Sequence, residues 1–352
     1  MLQLILLALL AAVPGAIASH VLHGPETLTF ALCCLGIVGL AGFLGEATEV
    51  VAHNLGSGPG ALVTAAFGNV AELIMGFAAL RAGKMQLVKA SLTGSILVNL
   101  LFILGCSMLA GGWKRQKQTF NAKAVLSGMS VLFLAVAALT IPDLWLATPS
   151  EHPGRSLVTM TTGLSVVMLV LYGLNLLFTL KTHRHLYVEE DEVVEGHAWS
   201  LKKALGVLLA ATAATVAIAE IMVEAVEGAS KHFGFGETFV GLIIISVVGT
   251  AAENATAVRM AAKDKINLSF NIVVESSKQI ALFTAPVLVF FSLAFAPQPL
   301  VFQFSILELA GLAFGLGTVI LVALDGESNW LEGAMLLAIY AMLGVGFYFV
   351  VP

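Results

Sequence analysis

Along this chain the apolar residues come in long runs, and most polar residues gather in the short gaps between them. A helix needs ~20 residues to cross a bilayer. The runs therefore predict about eleven spanning helices, at roughly 2–20, 27–52, 60–80, 86–110, 121–141, 157–180, 203–229, 238–261, 267–294, 300–323 and 330–351. The first run, Leu2 to Ile17, is as long as a secretory signal, but no charged region precedes it. It is read as a first span within 1–22, with a cleaved signal as the alternative. The largest hydrophilic break is 181–201, which carries Glu189-Glu190-Asp191-Glu192 and Glu195. Such a run is either a solvated acidic linker or a patch that attracts cations. It divides the remaining chain into 23–180 and 202–352, with five spans in each part.

These two parts repeat. Glu46-Ala47-Thr48-Glu49 followed by Leu55-Gly56-Ser57-Gly58 parallels Glu224-Ala225-Val226-Glu227 followed by Phe233-Gly234-Phe235-Gly236. Gly68-Asn69-Val70-Ala71-Glu72 parallels Gly249-Thr250-Ala251-Ala252-Glu253, and Gly94-Ser95-Ile96-Leu97 parallels Glu275-Ser276-Ser277-Lys278. An odd number of spans per repeat makes the second repeat run through the membrane inverted. The expected fold is thus an all-α polytopic membrane protein, two inverted five-helix repeats plus an extra N-terminal helix. In such folds ligands bind near the midplane where the repeats meet, at broken helices.

Composition agrees with this picture. Of 352 residues, 59% are hydrophobic and 11% charged, against about 25% charged in soluble proteins. The mean hydropathy is +0.96. Eleven Lys and Arg fall in the loops after even-numbered spans and five in the others, which predicts a cytoplasmic N-terminus and an external C-terminus. No targeting signal is evident, which fits a prokaryotic inner membrane. Nucleic-acid binding lacks a basic surface. Cys33, Cys34 and Cys106 all lie in apolar runs without metal-ligand spacing and read as small buried hydrophobes. No His-Glu-x-x-His or Gly-x-Ser-x-Gly motif is present, so a secondary transporter is expected rather than an enzyme.

The candidate chemistry rests on Glu72 and Glu253. An ionisable group at a helix centre costs at least ~2.5–3.5 kcal/mol, which makes it a functional candidate by default. Two carboxylates in one dry site cannot both stay ionised without a cation between them. The pair is therefore stable either protonated or closed around a divalent ion, the basis of proton-for-cation exchange. A hard cation such as Ca²⁺ takes ~6–8 oxygens, which the Asn69 amide, the Thr250 hydroxyl and carbonyls at Gly68 and Gly249 would help to supply. Ser91, Ser95, Ser276 and Gln279 either complete that shell or pack within their own helices. Glu46 and Glu49 share a helix face, as do Glu224 and Glu227. They read as an access path or, equally, as interfacial acids. Glu220, Glu237 and Glu308 have no assigned role.

The stretches Gly45-Glu46-Ala47-Thr48-Glu49, Phe67-Gly68-Asn69-Val70-Ala71-Glu72-Leu73-Ile74, Gly94 to Leu101, and Gln279-Ile280-Ala281-Leu282-Phe283 resemble the calcium/proton exchangers (the CAX branch) of the calcium/cation antiporter superfamily. The resemblance covers nearly the whole chain. It implies eleven spans, an acidic cytoplasmic segment after the sixth, and Ca²⁺ export driven by protons. It also implies that Glu72 and Glu253 bind Ca²⁺ and H⁺ in alternation, and that spans two and seven shift to open either side. No cofactor is implied, Ca²⁺ being cargo, and the partners are Ca²⁺, H⁺ and the bilayer, with a homo-oligomer compatible. The chain departs from the family pattern at Thr250 (usually Asn), Asn254 (often His), Glu275 (usually Gly) and Lys278 (usually apolar). Glu275 and Lys278 share a helix face and either pair with each other or let Lys278 reach Glu253. The second arrangement would weaken Ca²⁺ binding. The alternatives to Ca²⁺/H⁺ exchange are Na⁺/H⁺ or Na⁺/Ca²⁺ exchange on the same fold, or a cation-binding variant that does not transport.

Overall fold

The computed structural model describes residues 2–55, 60, 63–64, 67–148, 154–183 and 199–349. The acidic run at Glu189–Glu195 and the repeat element Gly56-Ser57-Gly58 lie outside the described residues. The described chain is helical apart from one short two-stranded ladder. The helices are α1 (Leu2–Leu10), α2 (Ala12–Val21), α3 (Glu26–Leu55), α4 (Val70–Arg81), α5 (Met85–Gly112), α6 (Ala122–Leu146), α7 (Gly154–Leu177), α8 (Leu201–Phe233), α9 (Glu237–Gly249), α10 (Ala251–Ala262), α11 (Ile266–Phe295), α12 (Ile306–Val322) and α13 (Trp330–Tyr348).

Among the described residues, seven helices are long and apolar enough to cross a membrane: α3, α5, α6, the stretch Leu157–Thr182 that includes most of α7, α8, α11 and α13. Two shorter apolar stretches, Ile5–Val21 and Ile306–Val322, accompany them. The arms Glu237–Gly249 and Glu253–Ala262 form one broken span, bent by 64°. The predicted first span is interrupted at Ala11. Pro14 explains this, since it has no N–H to bond the Leu10 carbonyl.

Element bounds recur along the chain. Helices α4 and α10 both have 12 residues. Elements of the two halves begin 181 residues apart: 70 and 251, 85 and 266, 104 and 285. Both α5 and α11 are interrupted by a π-helical turn, at Val98–Ile103 and Ile280–Thr284. Turns of this kind concentrate at functional sites.

Two compact units result. The first comprises 1–79, 174–235 and 248–252. In it α3 packs against α8, while α1 and α2 lie on α3. Gly36, Gly39 and Gly42 make that close approach possible. A Cβ on Gly39 would stand 3.0 Å from the Leu10 nitrogen, and one on Gly36 3.1 Å from Val13 Cγ2.

The second unit comprises 80–173, 236–247 and 253–352. Its centre is α5, whose most apolar window is 83% buried, against 17% for α13 at the periphery. Helix α9 crosses α5 at Gly94, where an added Cβ would strike the Leu242 carbonyl and the Ser246 hydroxyl. The stretch before α12 is extended rather than helical. Pro297 and Pro299 break the helix, and Leu300, Phe302 and Phe304 are buried in alternation. Side chains satisfy their backbone N–H groups: Leu300 donates to Ser292 Oγ (2.8 Å), Phe302 to Thr161 Oγ1 (3.3 Å) and Phe304 to Asp143 Oδ2 (3.1 Å). Glu308, fully buried, closes this region by accepting from Ser305 N (2.8 Å) and Thr93 Oγ1 (3.0 Å). It is a structural acid.

Polar groups tie the loops of the second unit at its two ends. At one end β1 (Gln118–Thr119) pairs antiparallel with β2 (Glu327–Ser328), Gln118 opposite Ser328. Gln118 Nε2 also donates to Ala261 O and Asp264 Oδ1, and Arg115 meets Asp264 at 3.3 Å. The loops after α5, α10 and α12 therefore share one face, as their Lys and Arg content predicts. Lys84 and Glu237, from two loops assigned to the opposite face, pair at 3.0 Å.

Candidate cation site

The two carboxylates occupy equivalent places. Glu72 lies in the first turn of α4 and Glu253 in the first turn of α10, each just after a break. A helix start leaves backbone N–H groups unpaired and carries partial positive charge, so it favours an anionic side chain. Gly68 and Asn69 form the turn before α4. Gly68 N donates to Thr64 O (2.8 Å), and the Asn69 carbonyl accepts from Leu73 N (3.1 Å). Asn69 is buried, and so are Thr250, at the corner of the 64° bend, and Asn254.

Within the first unit, Glu72 reaches the break of the other half. A Cβ built on Gly249 would lie 3.2 Å from Glu72 Cγ and 3.5 Å from its Cδ, with Met75 Cε at 2.7 Å. Gly249 is thus the residue that admits Glu72, a role sequence alone assigned only to loosening the helix.

Within the second unit, Glu253 is held through α11. It takes a hydrogen bond from Ser276, whose oxygen in turn accepts from Asn99 Nδ2 at 3.0 Å. Asn99 is 1% exposed and sits in the π-helical turn of α5. The other carboxylate oxygen, Glu253 Oε2, is buried with no hydrogen-bond partner among the described residues. An oxygen left so is costly unless a proton or cation completes it. The sequence reading passes over Asn99. The signal that points to it is an amide inside the apolar run Ile96-Leu97-Val98-Asn99-Leu100-Leu101.

The remaining candidates divide. Ser91 Oγ turns back to Val88 O (2.9 Å), the packing arrangement, while its carbonyl accepts from Ser246 Oγ (3.0 Å). Ser95 is buried and Gln279 half-buried. Among the described residues no three His, Cys, Asp or Glu side chains cluster to hold a metal ion. Neutral oxygens must therefore contribute to any cation shell.

The sodium/calcium exchanger protein family model matches residues 26–181 and 203–349. The chain belongs to this family, on its calcium/proton exchanger branch. It is 39% identical to the Ca²⁺/H⁺ antiporter ChaA of Bacillus subtilis, over 96% of this chain and 97% of that protein. It is 37% identical to a Ca²⁺/H⁺ antiporter of Aphanothece halophytica, over 99% and 98%. The solved structure of native YfkE superposes with a TM-score of 0.86 at 36% identity, covering 98% of this chain and 100% of that one.

Against that family background, the acids on α3 and α8 stand apart from the two central carboxylates. Glu46 is half-buried, and Glu49, Glu224 and Glu227 are exposed. Glu224 lies 3.8 Å from His20 of α2, and Glu227 pairs with Lys231 one turn on, at 2.7 Å. At the departure from the family pattern, Lys278 Nζ bonds Glu275 Oε1 at 2.5 Å. Of the two arrangements open to Lys278, the structure shows the pair with Glu275, and Glu253 Oε2 accepts no bond from it.

Proposed function

We propose that this exchanger moves Ca²⁺ against H⁺ by alternating access, with Glu72 and Glu253 taking up cation or protons in turn. The observation that carries the reading is the buried, unpartnered Glu253 Oε2 on a carboxylate whose other contact is a single serine. An ionised carboxylate so placed requires a cation, and a neutral one requires a proton. The relatives named Ca²⁺/H⁺ antiporters, 37–39% identical over nearly their whole lengths, support calcium as the cargo. Asn69, Thr250 and the carbonyls at Gly68 and Gly249 are the oxygens assigned to complete its shell.

The same proposal takes the chain as eleven spans: the N-terminal helix (1–22), a five-span repeat (23–180), the linker (181–201) and an inverted five-span repeat (202–352). The recurrence of element bounds at an interval of 181 residues supports this division. The excess of Lys and Arg in the loops after even-numbered spans supports a cytoplasmic N-terminus, an external C-terminus and residence in a prokaryotic plasma membrane.

The test uses purified protein in liposomes loaded with a pH dye under an imposed proton gradient. Added Ca²⁺ is expected to drive proton movement in the parent, and Glu72→Gln and Glu253→Gln are each expected to reduce it to background. Movement that persists in both variants sinks the two-carboxylate mechanism. Movement that requires Na⁺ in place of the proton gradient assigns the chain to sodium exchange.

A further inference from the structure

The interval of 181 residues sets Glu275 where the first half has Gly94, and Lys278 where it has Leu97. Leu97 and Lys278 are both fully buried. A position occupied in one half by an aliphatic side chain thus holds an ammonium group in the other. Burying such a charge demands a close partner, which Glu275 Oε1 supplies at 2.5 Å. Room for it comes from α6: a Cβ on Gly128 would press on Val274 at 2.7 Å and lie 3.8 Å from Lys278 Nζ.

The pair is unequal. The Lys278 side chain is 0% exposed and that of Glu275 is 37% exposed, although Glu275 lies well inside the 30-residue apolar helix α11. At about 100° per residue, Lys278 points roughly 160° away from Ser276. It therefore faces away from the side of α11 that holds Glu253. Glu275 is the immediate neighbour of Ser276, with Cα atoms about 3.8 Å apart. Its charge sits close enough to act on Glu253 through a medium that screens poorly.

We infer that the Glu275–Lys278 pair sets the cation affinity of the site around Glu253, the ammonium cancelling a carboxylate that would otherwise add negative charge beside it. This rests on the exchanger reading above. A transported ion must bind firmly enough to enter and weakly enough to leave. An extra carboxylate strengthens binding of a divalent ion twice as much as that of a monovalent one, because the attraction scales with the charge of the ion. Lys278 keeps the field of Glu275 from holding Ca²⁺ too long.

The experiment compares the parent, Lys278→Met, Glu275→Gln and the double variant in the liposome assay, reading the Ca²⁺ concentration for half-maximal proton movement and the maximal rate. Lys278→Met is expected to lower the half-saturating Ca²⁺ by about five- to tenfold and to slow the maximal rate. Glu275→Gln is expected to raise it by a similar factor, and the double variant to return to within about twofold of the parent. Opposite shifts are the signature of charge. Shifts in the same direction in both single variants, or no shift in either, overturn the inference and leave the pair a packing element. If Lys278→Met does not fold, Glu275→Gln and the double variant carry the same contrast, with Lys278→Arg expected to match the parent. A parent without Ca²⁺-driven proton movement counts against the exchanger reading instead. Ca²⁺ binding by the same proteins in detergent then decides the inference, by the same opposite shifts.

Discussion

Helices α5 and α11 are equivalent in position and opposite in chemistry. Both reach a buried serine, Ser95 or Ser276, shortly before a π-helical turn. The residue before that serine is Gly94 in one and Glu275 in the other. Gly94 has no side chain because the backbone of α9 occupies its place, with the Leu242 carbonyl against it. Glu275 takes up space instead and needs Lys278 to neutralise it. A duplicated scaffold can thus keep its backbone while one copy trades a close helix crossing for a buried ion pair.

Breaking the pair on one side should have the largest effect on this contrast. Glu275→Leu leaves the fully buried Lys278 ammonium without its carboxylate and should destabilise the protein by about 3–5 kcal/mol, read as a large loss of thermal stability in detergent. An unchanged melting temperature would show that other groups neutralise Lys278. Next comes Gly94→Ala, where the new methyl meets backbone that can only shift as a unit. Overpacking of this kind costs about 1–3 kcal/mol, with loss of transport where α5 and α9 are pushed apart. Parent-like transport and stability there would mean that the crossing is looser than its geometry indicates. The smallest change is expected from converting α11 to the pattern of α5. Replacing a buried pair by apolar groups is often neutral or stabilising, so Glu275→Gly with Lys278→Leu should melt within about 1 kcal/mol of the parent.

Much of the fold is legible in the order of residues. Nearly every predicted span has a helix within it, and the paired motifs around Glu72 and Glu253 fall on helices of equal length. The segment before α12 is not legible, because the run 300–323 is apolar throughout and its hydropathy does not distinguish a helix from a buried strand. Two prolines and three side chains that accept its N–H groups settle the matter. At the site, Glu72, Glu253, Ser276 and the breaks at Gly68 and Gly249 stand out as polar residues or glycines in apolar surroundings. Asn99 carries the same signal, but its use depends on Ser276 arriving from another helix.

By itself the sequence determines the number and order of apolar runs, the repetition of the two halves and the two acids placed alike within them. These are properties of local composition and spacing, which helix periodicity and bilayer thickness convert directly into structure. Tertiary structure decides which atoms meet. It turns Lys278 toward Glu275, sets Glu72 against Gly249, and joins Asn99 and Glu253 through one serine hydroxyl. Those outcomes depend on how far each helix is rotated and which rotamers its neighbours leave open, and long-range packing settles both.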